Sequence, residues 1–189
     1  MQIYRLAVAL MALLTISPAY ATDAAWALLR DGGHVVLLRA AMAPGTGQPA
    51  NFDITKCSTQ RNLNDRGKQQ ARKIGALFDV RAAPTDRVLA SQHCIAHETA
   101  QIAFDDRKVE TSNLLDPPPP ESEAEARMAW VDAISELIRS HQGTGNLILV
   151  AQLETISALT DITPREGEAV IVKAREDGSF GVAGRIIFN

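Results

Sequence analysis

Three short stretches of this 189-residue chain hold the side chains that could do chemistry. In "LLRAAMAPGTG" a buried apolar run ends at Arg39 and passes into a loop with Pro44, Gly45 and Gly47. A guanidinium at such a strand end suits a phosphate or carboxylate, because its planar donors match two acceptor oxygens. The next residue is Ala40, whose methyl group can do no chemistry. In "LASQHCIAHETA" the imidazoles of His93 and His97 lie four residues apart, with Cys94 and Glu98 beside them. On a helix this spacing shares one face, as a metal pair requires. The other reading is two exposed polar residues, with Cys94 engaged in a disulfide. In "LVAQLETISALT" a third apolar run ends at Gln152, and Glu154 follows in the first turn of a helix. An acid there compensates the helix dipole, and it also occupies the positive end that an anion would want.

The remaining histidines stand apart from these stretches. His34 starts the strand that Arg39 closes, at the opposite end from the loop. His141 closes a long helix, where a cation suits the dipole. Asp65 and Arg66 read as capping and surface residues at the start of another helix.

The elements that must position these groups alternate. "GGHVVLLRA" and "GNLILVAQ" are continuous apolar runs, the mark of strands buried on both faces. "DRVLAS" and "RKVETSNLL" supply two shorter strands. "LNDRGKQQARKIGALF" is a helix, capped by Asn64 or Asp65, with Ala71, Ile74, Leu77 and Phe78 on its apolar stripe. "CIAHETAQIAF" is a second, with Ile95, Thr99, Ile102 and Ala103 at helical spacing. After the tract Pro117 to Pro120 a third helix begins near Glu121 and buries Trp130, Ile134, Leu137 and Ile138. "EAVIVKARED" and "SFGVAGRIIF" read as alternating strands joined at Asp177-Gly178, a hairpin signal. Strands that alternate with helices and end in a hairpin predict a three-layer α/β/α sandwich around a mostly parallel central sheet. Ligands bind such sheets at the carboxyl ends of the strands, which is where Arg39, the segment after Leu89, and Gln152 fall.

The N-terminus reads differently. Arg5 precedes an apolar run from Leu6 to Ile16, and Ala19-Tyr20-Ala21 follows as a small-x-small pattern. That is the layout of a secretory signal peptide over residues 1–21, and the run is too short to span a bilayer. The expected mature chain is a single domain over residues 22–189, periplasmic or secreted and free of the membrane after cleavage. The whole chain carries 19 basic and 22 acidic residues, net −3. With Arg5 removed the balance becomes 18 against 22, or −4. Neither figure gives the basic footprint of a nucleic-acid binder. The two cysteines, Cys57 and Cys94, are expected to pair in an oxidising compartment, the alternative being two buried thiols.

Taken together, the blocks resemble the histidine phosphatase superfamily, the phosphoglycerate-mutase-like fold, in its short exported branch. Leu63, Gly67, Gln70, Ala71 and Gly75 match its helix pattern, and Ser91, Glu98, Thr99 and Ala100 match its next block. The resemblance implies hydrolysis of phosphomonoesters through a phosphohistidine. Two arginines and a second histidine would surround the phosphoryl group. Arg39 matches the first arginine. The nucleophile position holds Ala40, the second arginine position Ile95, and the second histidine position Gln152.

A methyl group cannot form phosphohistidine, and loss of a nucleophile from a covalent enzyme can cost about a million-fold in turnover. The leading expectation is therefore a catalytically degenerate pseudophosphatase acting by ligand binding or protein contact, without a cofactor and as a monomer. Arg39, Gln152 and Glu154 would meet a small anionic ligand. Two alternatives remain: a phosphomonoester phosphohydrolase with a displaced or residual mechanism, and a metal site on His93 and His97.

Overall fold

The computed structural model describes residues 18–104, 109–175 and 179–188. Its centre is a six-stranded sheet of order β3-β2-β4-β1-β5-β6. The strands are β1 (Val35–Arg39), β2 (Thr85–Ala90), β3 (Val109–Thr111), β4 (Asn146–Ala151), β5 (Ala169–Ala174) and β6 (Phe180–Ile186). β3, β2, β4 and β1 run parallel, with Leu38 opposite Val150 and Leu89 opposite Leu149. β5 and β6 close the sheet antiparallel to β1 and to each other.

Among the described residues five helices cover the sheet: α1 (Pro18–Asp31), α2 (Asp65–Val80), α3 (Cys94–Ala103), α4 (Ala124–Arg139) and α5 (Leu153–Thr160). Alternate strand residues feed two separate cores, as strand geometry requires. Val36, Leu38, Val88, Ile148, Val150 and Ile171 pack on one face with Trp26, Ile74, Phe78 and Ile95. Val35, Leu37, Leu89, Leu147, Leu149 and Val170 pack on the other with Trp130, Ile134 and Ile156. The three-layer sandwich with a mostly parallel sheet is thus present, with α1 to α3 on one face and α4 and α5 on the other.

The helix motif earns its residues through close approach. A Cβ on Gly67 would overlap the carbonyl of Met42, and one on Gly75 the carbonyl of Ala103. Gly67 thus lets the N-terminus of α2 touch the loop after β1, and Gly75 lets α2 lie against α3. Asn64 is the cap of α2, its side chain accepting from the Gly67 N–H at 2.8 Å.

Several sequence expectations need correction. The helix α1 gave no readable signal beside the apolar leader, yet it inserts Ala25, Trp26 and Leu29 into the core. The cleavage pattern Ala19-Tyr20-Ala21 falls on its first turn. β5 does not alternate: Ala169, Val170, Ile171 and Val172 are all buried, because the strand lies between β1 and β6 and under helices on both sides. α4 begins at Ala124, not near Glu121, since the proline tract and the turn after it occupy the earlier residues. Residues 1–17, which hold the apolar leader, and the hairpin turn at Asp177-Gly178 lie outside the described residues.

Candidate functional site

The carboxyl ends of β1, β2 and β4 open into one cavity of about 330 Å³, within the usual range for small-molecule sites. Arg39, Ala40, Ile95, Gln152, Glu154 and His93 all line it. The residues picked from three distant stretches of sequence therefore meet.

The floor is the chain just past β1. The Ala40 N–H donates to Ala151 O at 2.9 Å, and Gly167 N–H donates to Ala40 O at 3.1 Å. Ala41 N–H donates to Thr99 Oγ1, and Met42 N–H to Gln70 Oε1, both at 3.0 Å. The motif residues Thr99 and Gln70 are thus clamps on this loop. Ser91 is likewise structural: its hydroxyl donates to Asp116 Oδ1 at 2.6 Å and accepts the His93 N–H. Glu98 faces away, in an ion pair with Lys68 at 3.0 Å.

Ala40 and Ile95 are 3% and 5% exposed and belong to the apolar core as much as to the cavity. Gln152, 7% exposed, differs. It is the N-cap of α5, but its side chain does not cap the helix. Neither its Nε2 nor its Oε1 has a partner among the described residues. A buried amide in that state costs stability, since both its donor and its acceptor have been taken out of water.

The charges are placed unevenly. Arg39 is half-buried, and its guanidinium donates to Pro164 O at 2.6 Å. No carboxylate pairs with it among the described residues. Glu154 is exposed at the first turn of α5, also without an ion pair there. Arg61 lines the cavity too, 3.9 Å from Glu166 Oε1, with its own Nε buried and unpartnered.

Arg61, Gln48 and Glu166 escaped the sequence reading because they lie on irregular loops. One signal could have found Arg61. The disulfide between Cys57 and Cys94, with Cα atoms 5.6 Å apart, fastens the loop after β1 to the start of α3. Residues flanking Cys57 had to lie near His93 and Ile95. Gln60, next to Arg61, accepts the Cys94 N–H at 3.0 Å.

His93 is held from two sides. Phe52 stacks on its ring at 5.3 Å, and its Nδ1 lies 3.2 Å from Gln48 Nε2. Gln48 Oε1 accepts the Arg61 N–H, so its Nε2 must be the donor to His93. That assigns the imidazole proton to Nε2. Burial holds the His93 pKa below its ordinary 6.5, partly offset by the negative charges of Asp116 and Glu154.

The His93/His97 metal pair does not assemble. His93 precedes α3 with extended backbone, φ −63° and ψ 131°, so helical spacing does not govern it. His97 lines a different cavity, beside Lys68 and Glu98. Cys94 is taken by the disulfide. Among the described residues no group of three or more His, Cys, Asp or Glu is placed to hold a metal ion. His34 sits at the far end of β1 as expected, and His141 is half-buried with Nε2 3.0 Å from Gly145 O, not a free surface group.

The sequence matches no protein-family model and no curated relative. Solved structures share its fold. The protein histidine phosphatase SixA in complex with tungstate superposes with a TM-score of 0.58 at 16% identity, over 81% of this chain and 96% of that one. A histidine-to-alanine mutant of phosphoserine phosphatase from Entamoeba histolytica, in complex with phosphoserine, gives 0.58 at 14% over 80% and 95%. Mycobacterial glucosyl-3-phosphoglycerate phosphatase in complex with VO3 gives 0.59 at 13% over 80% and 97%. At these identities the likeness is one of fold, and the fold is that of the histidine phosphatases.

Two outcomes follow from the site. Gln152→Leu should raise stability by about 1–2 kcal/mol, because it removes an unpaired buried amide at nearly constant volume; urea denaturation measures it, and a loss of stability would mean the amide is partnered. The lowered His93 pKa makes the unfolded chain take up a proton first as pH falls. Its contribution to stability is whole above 6.5 and drains away below that value, until the lower folded value is reached. Denaturation curves between about pH 7.5 and 5, above most carboxylate titration, should show this decline, and His93→Gln should flatten it.

Proposed function

We propose that this protein is an exported pseudophosphatase: a histidine-phosphatase-fold protein whose pocket serves ligand binding or protein contact without the covalent reaction. The observation that carries the reading is Ala40. Its methyl lies on the floor of a fully formed cavity, beside Arg39, where the resemblance calls for a nucleophilic imidazole. Ile95 presents hydrocarbon where a second guanidinium would meet a phosphoryl oxygen, and Gln152 cannot become cationic. The scaffold residues around them, Gly67, Gln70, Gly75 and Thr99, keep their packing and clamping roles.

The alternative of a displaced mechanism would fall to His93, the only imidazole that lines this cavity among the described residues. Its Nδ1 lone pair is engaged by Gln48, and its other nitrogen carries the proton. In that tautomer it has no free lone pair with which to attack phosphorus. The neighbouring structures favour retained binding. One holds phosphoserine in a chain that carries a histidine-to-alanine change. For protein contact, the outer wall offers Phe52, still 38% exposed beside His93.

Export rests on the leader pattern and is supported by the disulfide, which suits an oxidising compartment. Expressed in a bacterium with its leader, the protein should be recovered from the periplasm with Thr22 as its first residue by intact mass. Recovery in the cytoplasm with residues 1–21 attached would reject export.

The purified protein should not turn over p-nitrophenyl phosphate. The triple variant Ala40→His, Ile95→Arg, Gln152→His should regain hydrolysis, while single changes do little because the groups act as a unit. Wild-type turnover that disappears in His93→Gln would replace this reading with the displaced mechanism.

A further inference from the structure

A pocket inherited from a phosphatase would be expected to take an oxyanion, but its present lining is not built for one. Two guanidinium groups, Arg39 and Arg61, face two carboxylates, Glu154 and Glu166. Arg61 and Glu166 lie 3.9 Å apart and largely offset each other. That leaves Arg39 as the cation without a carboxylate partner and Glu154 as the anion without a cation, among the described residues. A phosphate dianion would find one unmatched cation and would sit in the field of an unmatched acid.

Gln152 sharpens the constraint. Its side chain is more than nine-tenths buried, lines the cavity, and has both Nε2 and Oε1 unpartnered. A ligand that satisfies it must bring an acceptor for Nε2 and a donor for Oε1. A phosphate dianion or a simple carboxylate brings only acceptors. It would leave Oε1 facing negative charge, a costly arrangement in a buried site. The rest of the lining, Ala40, Ile95, Leu153 and Pro117, offers hydrocarbon.

We infer that the cavity binds a small zwitterion, a free α-amino acid with an apolar side chain. The carboxylate lies against Arg39 and Gln152 Nε2. The ammonium group lies toward Gln152 Oε1 and Glu154. The side chain fills the space over Ala40 and Ile95. This rests on reading the pocket as a binding site without phosphatase chemistry.

The test is calorimetric titration of the mature protein, after a thermal-shift screen of the proteinogenic amino acids has chosen the best one. If that is leucine, the titrants are leucine, N-acetyl-leucine, leucinamide, Leu-Ala, Ala-Leu and inorganic phosphate. Leucine should bind, and masking its amine or its acid, by a cap or by a peptide bond, should weaken binding at least about tenfold. Phosphate should bind more weakly than the zwitterion. Arg39→Ala and Gln152→Leu should each lower affinity by a similar factor, the second while leaving the melting temperature at or above wild type. Tighter binding of leucine than of either dipeptide supports a free amino acid, and a dipeptide that binds more tightly than leucine overturns the inference. N-acetyl-leucine or phosphate binding as tightly as the zwitterion, or no binding by any amino acid or dipeptide, overturns the inference. None of these results depends on phosphomonoester turnover, so the pseudophosphatase reading stands or falls separately.

Discussion

The backbone just past β1 is the constraint on which the site depends. Over three residues, Ala40 to Met42, it is tied to β4 through Ala151, to the loop before β5 through Gly167, to α3 through Thr99, and to α2 through Gln70. Each tie needs its element at a fixed depth, and the glycines of α2 set that depth by permitting carbonyl contact. None of the four involves the side chain at position 40. The pocket can therefore keep its shape whatever that side chain is, so this fold accommodates an alanine there.

That separation explains which parts were legible in the sequence. The α2 motif and the buried β1 and β4 runs report packing, and packing leaves periodicity and spacing behind. From them came the three-layer fold and the convergence of Arg39, Ile95 and Gln152, while the disulfide came from the cysteine count and the leader. Loop residues leave no such trace. Gln48 and Glu166 reach the cavity only because of the path the backbone takes, and no spacing rule encodes that path. The His93/His97 pairing failed for a related reason. The rule assumed a helix, but His93 is the residue before it, where extended backbone sends the side chain to a different cavity. α1 went unread because its amphipathic face is short and sits directly against an apolar leader that dominates the local pattern.

Ala40, Ile95 and Gln152 differ in energetic character. Ala40 and Ile95 are continuous with the apolar core, so their hydrocarbon contributes to folding as any buried side chain does. Hydrocarbon at such positions needs no functional explanation, because it carries no desolvation cost. Gln152 is different. It is as buried as its neighbours, yet it keeps two polar atoms that no described residue satisfies. Leucine would fill the same space at lower cost.

A residue that works against stability in an otherwise apolar corner points to a demand outside folding. The same holds for Arg39, a half-buried guanidinium whose only protein acceptor among the described residues is one carbonyl. If the pocket were only a remnant, these two positions would be the ones where an apolar substitution gains most. If it binds a ligand, they are where the ligand must restore what burial removed. A group that offers acceptors to Arg39 and Nε2 and a donor to Oε1 repairs both at once. The cost that Gln152 imposes on the free protein thus becomes part of the selectivity of the bound one, since a ligand lacking either group leaves the amide half satisfied.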